Sequence, residues 1–352
     1  MNEIEKASVN LITMRMSNHA SHSGYDRLID FVKSNKVYGD RDQSLVSRGV
    51  VKGLKSYVGR SNLNWYNRSS LIEEISAGFG WLANSNQVFH FLYGENSYRY
   101  LGNLKKIKNK NSIVCTYHTP PNRFQEVVRE NRHLKQLDAI VTVSQMQLEY
   151  LSQYTGRDRT FFVPHGIDVE YFVPGKPMIE AERPLKCLFV GSHMRDVETL
   201  VKAADLLHDW GENCEIVAVT ALRNKDTIEK SKSINLRMGV DDNELLSLYQ
   251  TSDLLMLPLL DATANNSILE ALACGLPIVS TDLDGIQDYV NEKCAILVKM
   301  KDAKGLAEAV VQLSRDASLR QKMGISSREQ SMIFSWQNVA EKMNDIYKLV
   351  GK

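Results

Sequence analysis

Asn265-Asn266-Ser267-Ile268-Leu269-Glu270-Ala271-Leu272-Ala273-Cys274-Gly275-Leu276-Pro277-Ile278-Val279 opens with three polar residues, continues at helical apolar spacing and stops at Gly-x-Pro ahead of a β-branched pair. The apolar run Leu254–Leu260 precedes it and Ile278-Val279-Ser280-Thr281 follows, so the helix sits inside a βαβ unit. Ligands of such units bind outside the carboxyl ends of the strands. A helix start there offers unpaired N–H groups and about half a positive charge, which suits a pyrophosphate. Glu270, one turn further in, is placed to accept hydrogen bonds from the hydroxyls of a ribose or sugar. Ser267-x-x-Glu270 reads equally as a capping box. These residues alone leave both readings open.

A chain of 352 residues exceeds one ordinary core and predicts two domains. Its 43% hydrophobic and 24% charged content is that of a globular protein in water. No apolar run approaches the ~18 residues of a membrane span, and Met1–Lys6 lacks the basic-then-apolar order of a signal peptide, so a cytoplasmic protein is expected. Five cysteines, scattered and without a Cys-x-x-Cys pair, fit reduced thiols, and the eight histidines show no metal-ligand spacing, so no metal site is expected. Cys274, at a helix end whose dipole raises a thiol pKa, is a buried thiol rather than a nucleophile.

The net charge of +1 hides an asymmetry: residues 1–172 hold 22 Lys and Arg against 16 Asp and Glu, and residues 173–352 hold 21 against 26. The densest basic segment, Arg99–Lys110, reads first as a solvated loop before a strand and second as a peripheral contact for an anionic membrane or lipid-phosphate acceptor. Nucleic acid is not expected, because no stacking aromatics are interleaved with the basic residues.

Strand-like runs recur at Ser8–Met16, Val88–Tyr93, Ile113–Tyr117 and Ala139–Val143, then at Leu185–Val190, Cys214–Thr220, Asp253–Leu257, Pro277–Thr281 and Ala295–Val298. Each is followed by a turn and an amphipathic stretch, which predicts an α/β protein with two parallel sheets. Ser144-x-x-Gln147, Asp241-x-x-Glu244 and Ser335-x-x-Asn338 read as helix caps. Residues 173–184, with three prolines and no periodicity, read as a linker between domains 1–172 and 185–335.

The series Cys187–Gly191, Val240–Leu245, Ile268–Val279, Thr281–Ile286 and Phe334-Ser335-Trp336, preceded by Val141–Ser144 and Pro164–Asp168, resembles the family-four glycosyltransferases of the GT-B fold over nearly the whole chain. That resemblance implies two Rossmann-like domains with a deep interdomain cleft, an acceptor domain first and a nucleotide-sugar donor domain second. It also implies a C-terminal helix, residues 336–352, crossing back to the first domain.

The resemblance further implies residue roles. Glu270 matches the second glutamate of the family's Glu, seven residues, Glu motif and is similar to a ribose-binding carboxylate. Arg195 stands where the family places a lysine on the donor diphosphate, and a guanidinium can hold phosphate oxygens bidentately. His118, ending the strand Ile113–Tyr117, is similar to a family histidine that faces the cleft from the acceptor domain, and with Arg195 and Glu270 it is expected among the catalytic residues. Gly239 and Val240 resemble the segment that edges the base. The chain also departs from the pattern. Ala262 stands where the first motif glutamate belongs, so either Asp261 substitutes or sugar recognition moves to Asn265 and Asn266. Ser192 replaces the arginine after the phosphate-loop glycine, and the paired glycines of the first loop are reduced to Ser23-Gly24. His19 and His22 read as exposed polar residues of that loop, and His165 as structural.

The expected activity is retaining transfer of a hexose, glucose or a relative, from a UDP-sugar to a hydroxyl of a glycan or lipid-linked acceptor. Arg195 and the N–H groups around Asn265–Ser267 would stabilise the departing diphosphate without metal or separate cofactor. The alternatives are a GDP-mannosyl donor, an epimerase of the same fold and a non-catalytic partner subunit.

Overall fold

The computed structural model describes residues 8–14, 22–39, 55–176 and 183–351. His19, the end of the run expected over Ser8–Met16 and the middle of the expected linker lie outside them. The chain forms two compact units, one of Met1–His19, Gly24–His165 and Trp336–Lys352, the other of Ala20–Ser23 and Gly166–Ser335.

In the first unit six parallel strands lie in the order β2-β1-β3-β4-β5-β6: β1 Ser8–Ile12, β2 Lys36–Tyr38, β3 Gln87–Phe91, β4 Ser112–Tyr117, β5 Ala139–Thr142 and β6 Thr160–Phe162. Strand β4 is buried along its whole length, which explains its nearly unbroken apolar sequence: helices cover both faces of a parallel sheet. The helix Trp336–Val350 belongs to this unit. Its Tyr347 hydroxyl lies 2.6 Å from His90 Nδ1, and the carbonyl of Val350 accepts from Ser112 Oγ at 2.6 Å. Trp336, at its start, packs with Tyr25 and His165.

The second unit repeats the plan with the order β12-β11-β10-β7-β8-β9: β7 Leu185–Val190, β8 Cys214–Val219, β9 Ile234–Arg237, β10 Leu254–Leu257, β11 Ile278–Thr281 and β12 Ala295–Val298. The pairings are parallel throughout. Two Rossmann-like α/β units are thus the observed architecture.

The boundary expected at residue 172 is corrected. Ile167, Val169 and Phe172 belong to the core of the second unit. The Arg328 guanidinium fixes the segment there, donating to the carbonyls of Val169 and Phe172 at 2.9 Å and of Ala273 at 2.8 Å. The described ends of the expected linker also pack on this unit: Gln250 donates to the Val173 carbonyl, and Arg183 grips Asp253 with two bonds of 2.6 Å.

Candidate functional site

Strands β7 and β10 are neighbours from which the chain winds outward in opposite directions, β8 and β9 on one side, β11 and β12 on the other. This reversal is the topological switch point, where open α/β sheets bind ligands at the carboxyl ends. The segments after the two strands meet there. Arg195 forms an antiparallel bridge with Leu259, Asp196 N donates to the Pro258 carbonyl, and Leu260 N donates to that of Met194, both at 2.9 Å. Gly191 starts the first segment at φ 98, and a Cβ there would lie 2.6 Å from Arg195 Nη2. Backbone conformation and space both require glycine.

Arg195 is held on several sides. Nε donates to the Val190 carbonyl and Nη1 to that of His193, both at 2.9 Å, while Nη2 donates to Ser267 Oγ at 3.0 Å and lies 3.4 Å from Asn265 Oδ1. Burial pushes its pKa down to about 10, with Tyr249 and Glu270 opposing, so the guanidinium keeps its charge at neutral pH. The helix it faces is Asn266–Ala273, capped by Asn265, whose side chain accepts from Ile268 N at 3.3 Å. The alternative cap of Ser267 by Glu270 is therefore not formed. Ser267 is already the second helical residue, and its hydroxyl is used by Arg195 and the Val190 carbonyl.

Glu270 is 4% exposed. One carboxylate oxygen accepts from the Ser23 hydroxyl and the other from Tyr249 Oη at 2.7 Å. Burial pushes its carboxyl up, opposed by the bonds from Ser23 and Tyr249 and by the Arg195 charge. Both carboxylate oxygens are thus already engaged, and a ribose hydroxyl would share them with Ser23 and Tyr249. Tyr249 and Ser23 were not expected at the site, since they lie 21 and 247 residues from Glu270.

The remaining expected residues of this unit fall around the same strand ends. Ser192 Oγ accepts from Arg223 Nη2 at 3.0 Å. Arg223 carries no motif of its own in the sequence, and its place just beyond β8, beside β7, is the available signal. Asn266 is half-buried at the first helical position, and Asp261 is half-buried in the segment after β10. That segment rests on Gly285, where a Cβ would lie 2.2 Å from the Ala262 carbonyl oxygen. Gly239 turns the chain after β9 at φ 67, and Val240 packs partly on the core.

In the first unit, His118 follows β4. Its Nε2 lies 2.9 Å from the Leu92 carbonyl, which fixes that nitrogen as the donor and Nδ1 as an acceptor. Its backbone N–H donates to Glu95 Oε1 at 2.8 Å, and its ring packs against Tyr25 and Tyr93. Burial lowers the imidazole pKa, with Glu95 and the Leu92 carbonyl opposing, so the ring is neutral at pH 7. Gly24 takes φ 104 and opens the 3-10 turn Tyr25–Asp30, so here glycine serves a turn. His165 is a packing residue against Tyr25 and Trp336. His22 is not simply exposed: it stacks on Tyr171 at 3.5 Å, with Nδ1 3.1 Å from Asp168 Oδ2. Cys274 is buried, and burial pushes its thiol up.

Two Rossmann-like units, the second with a cation fastened to a helix start at its switch point, make up the GT-B type of fold. Residues 184–316 match the family described as Glycosyl transferases group 1. It is 23% identical over 301 residues, 78% of its own length, to a D-inositol 3-phosphate glycosyltransferase of Saccharomonospora viridis. The matches span 68, 51 and 50% of the lengths of three such relatives. The fold is similar to that of sucrose-phosphate synthase from Thermosynechococcus elongatus, with a TM-score of 0.70 at 17% identity, covering 97% of this chain and 98% of that one. It is also similar to Anabaena HepE, solved in complex with UDP and glucose, with a TM-score of 0.64 at 11% identity, covering 96% and 98%.

Proposed function

We propose that this glycosyltransferase moves a hexose, glucose or a close relative, from a UDP-sugar to a hydroxyl of a glycan or lipid-linked acceptor, with retention of anomeric configuration. The observation that carries the reading is Arg195, fastened by Ser267 and two carbonyls against the start of the helix Asn266–Ala273. As the bond between the anomeric carbon and the diphosphate breaks, negative charge grows on the leaving oxygens. A guanidinium and helix N–H groups fixed in advance oppose that charge with little reorganisation. No separate cofactor enters the proposal.

Asn265 spends its carboxamide oxygen on Ile268 N and Arg195. Asn266 and Asp261 are therefore assigned to the sugar hydroxyls, Glu270 with Ser23 to the ribose, and the backbone at Gly239 and Val240 to the base. His118 is assigned to the acceptor. UDP is favoured by the HepE complex, and a hydroxyl acceptor by the likeness to a D-inositol 3-phosphate glycosyltransferase.

The test is the melting temperature of the purified chain with excess UDP, excess GDP and neither. At a hundredfold excess over Kd, a ligand of the folded state adds about 2.7 kcal/mol of stability. Stabilisation by UDP alone is expected. A response to GDP alone would move the donor to a GDP-sugar, and no response to either would overturn the site assignment. The configuration at the anomeric carbon of the product then tests retention.

A further inference from the structure

The helix Arg68–Ala83 is apolar on two faces. Leu71, Ala77 and Trp81 are buried in the core of the first unit. The flanking face carries Ile72, Phe79 and Leu82 beside Ile75, which packs partly on the core; Ile72 is half-buried, Phe79 70% exposed and Leu82 44% exposed. Ile107, 75% exposed, joins this face: Lys108 Nζ donates to the Leu82 carbonyl at 2.8 Å, and Trp81 Nε1 to the Lys108 carbonyl at 3.1 Å. Large apolar side chains grouped in water mark an interaction surface.

Charge selects the partner. The segment Leu101–Asn111 holds four lysines and no Asp or Glu. Lys105 is spent on Asp138 at 2.6 Å, as Arg99 is on Glu130 at 2.9 Å. Lys106 and Lys110, on either side of Ile107, are exposed and form no ion pair among the described residues. On the helix itself, the only carboxylates, Glu73 and Glu74, are buried. An apolar ridge flanked by unspent cations matches an anionic bilayer, whose interface takes the apolar side chains while its headgroups meet the lysines.

We propose that this surface docks the first unit on an anionic lipid bilayer, with Phe79, Leu82 and Ile107 as the inserted side chains and Lys106 and Lys110 as the headgroup contacts. The proposal goes beyond the donor assignment and does not depend on it.

The test is sedimentation of the full chain with phosphatidylglycerol–phosphatidylcholine vesicles and with phosphatidylcholine vesicles alone. Binding to the anionic vesicles, weakened by salt, is expected. At about 1 kcal/mol per cation, K106Q/K110Q loses roughly 30-fold in partitioning. Phe79→Ser with Ile107→Ser abolishes binding, while both double variants keep the UDP response of the parent. A wild-type chain left in the supernatant, or variants that bind as it does, would overturn the proposal. So would a dimer in light scattering that Phe79→Ser converts to monomer, since the surface would then belong to a second copy.

Discussion

Arg195 and Arg223 stand at the same strand ends, but their surroundings assign them different costs. Arg195 makes three bonds of 2.9–3.0 Å, to the Val190 and His193 carbonyls and to Ser267 Oγ, whereas Arg223 makes one bond, to Ser192, from an exposed position. Arg195→Ala strips donors from two carbonyls and releases the segment after β7. With each charged bond giving about 1.5–3 kcal/mol, and the Val190 carbonyl retaining Ser267 Oγ at 3.3 Å, a net loss of roughly 2–4 kcal/mol is expected. For a unit of this size that lowers the melting temperature by about 5–15 °C. Loss of the cation beside a diphosphate further weakens UDP by about 1–4 kcal/mol, the range between a solvated and a partly buried charge pair. Arg223→Ala should leave the melting temperature within about 2 °C of the parent, the usual range for an exposed substitution. Urea unfolding and UDP titration calorimetry on both variants make the comparison. If Arg195→Ala kept both its stability and its UDP affinity, the structural and electrostatic roles given to this guanidinium would be wrong.

Other expectations follow from the same geometry. Tyr249→Phe removes one of the two side-chain donors of the buried Glu270 and should cost about 1.5–3 kcal/mol in urea unfolding, whereas an unchanged midpoint would mean the bond contributes nothing. Gly191→Ala should fold less stably and lose UDP binding, because the added Cβ lies 2.6 Å from Arg195 Nη2 and φ is positive; wild-type calorimetry would refute this. His90 and His133 are buried, and burial lowers each pKa to about 3, so both stay neutral in the folded chain while the unfolded chain protonates them near 6.5. The stability tied to their neutrality is complete above that unfolded value and is lost as pH falls, about 1.3 kcal/mol per histidine between pH 7.5 and 5.5. Glu74 and Glu270, raised by burial, act in the opposite sense. The effect is therefore read from a variant: the stability gap between parent and His90→Gln should shrink by about 1.3 kcal/mol from pH 7.5 to 5.5, and a gap constant with pH would contradict the assignment.

Much of this molecule was legible before folding because parallel sheets write themselves plainly. Leu185–Val190 and Ala295–Val298 form strands at the expected bounds, and Leu254–Leu257 and Ile278–Thr281 differ from expectation by one residue at the start. The strands that escaped, β2, β6 and β9, are sheet edges of three or four residues. Exposed positions interrupt the apolar run of β9, and β2 begins with two exposed residues. The caps at Ser144 and Asp241 were readable because a side chain there reaches only three residues along the chain.

Residue order alone carries an α/β chain, its two Rossmann-like units and a polar helix start after the strand at Leu254–Leu257. These features depend on local periodicity and on residues close in sequence. Only the tertiary structure decided that Asn265 rather than Ser267 caps that helix, that Glu270 is sealed by Ser23 and Tyr249, and that Arg195 is held by Ser267. It also decided that Ile167–Phe172 packs with the second unit. These outcomes depend on which distant groups fill a buried carboxylate's hydrogen bonds or a core's volume, and a chain read in order carries no local mark of either.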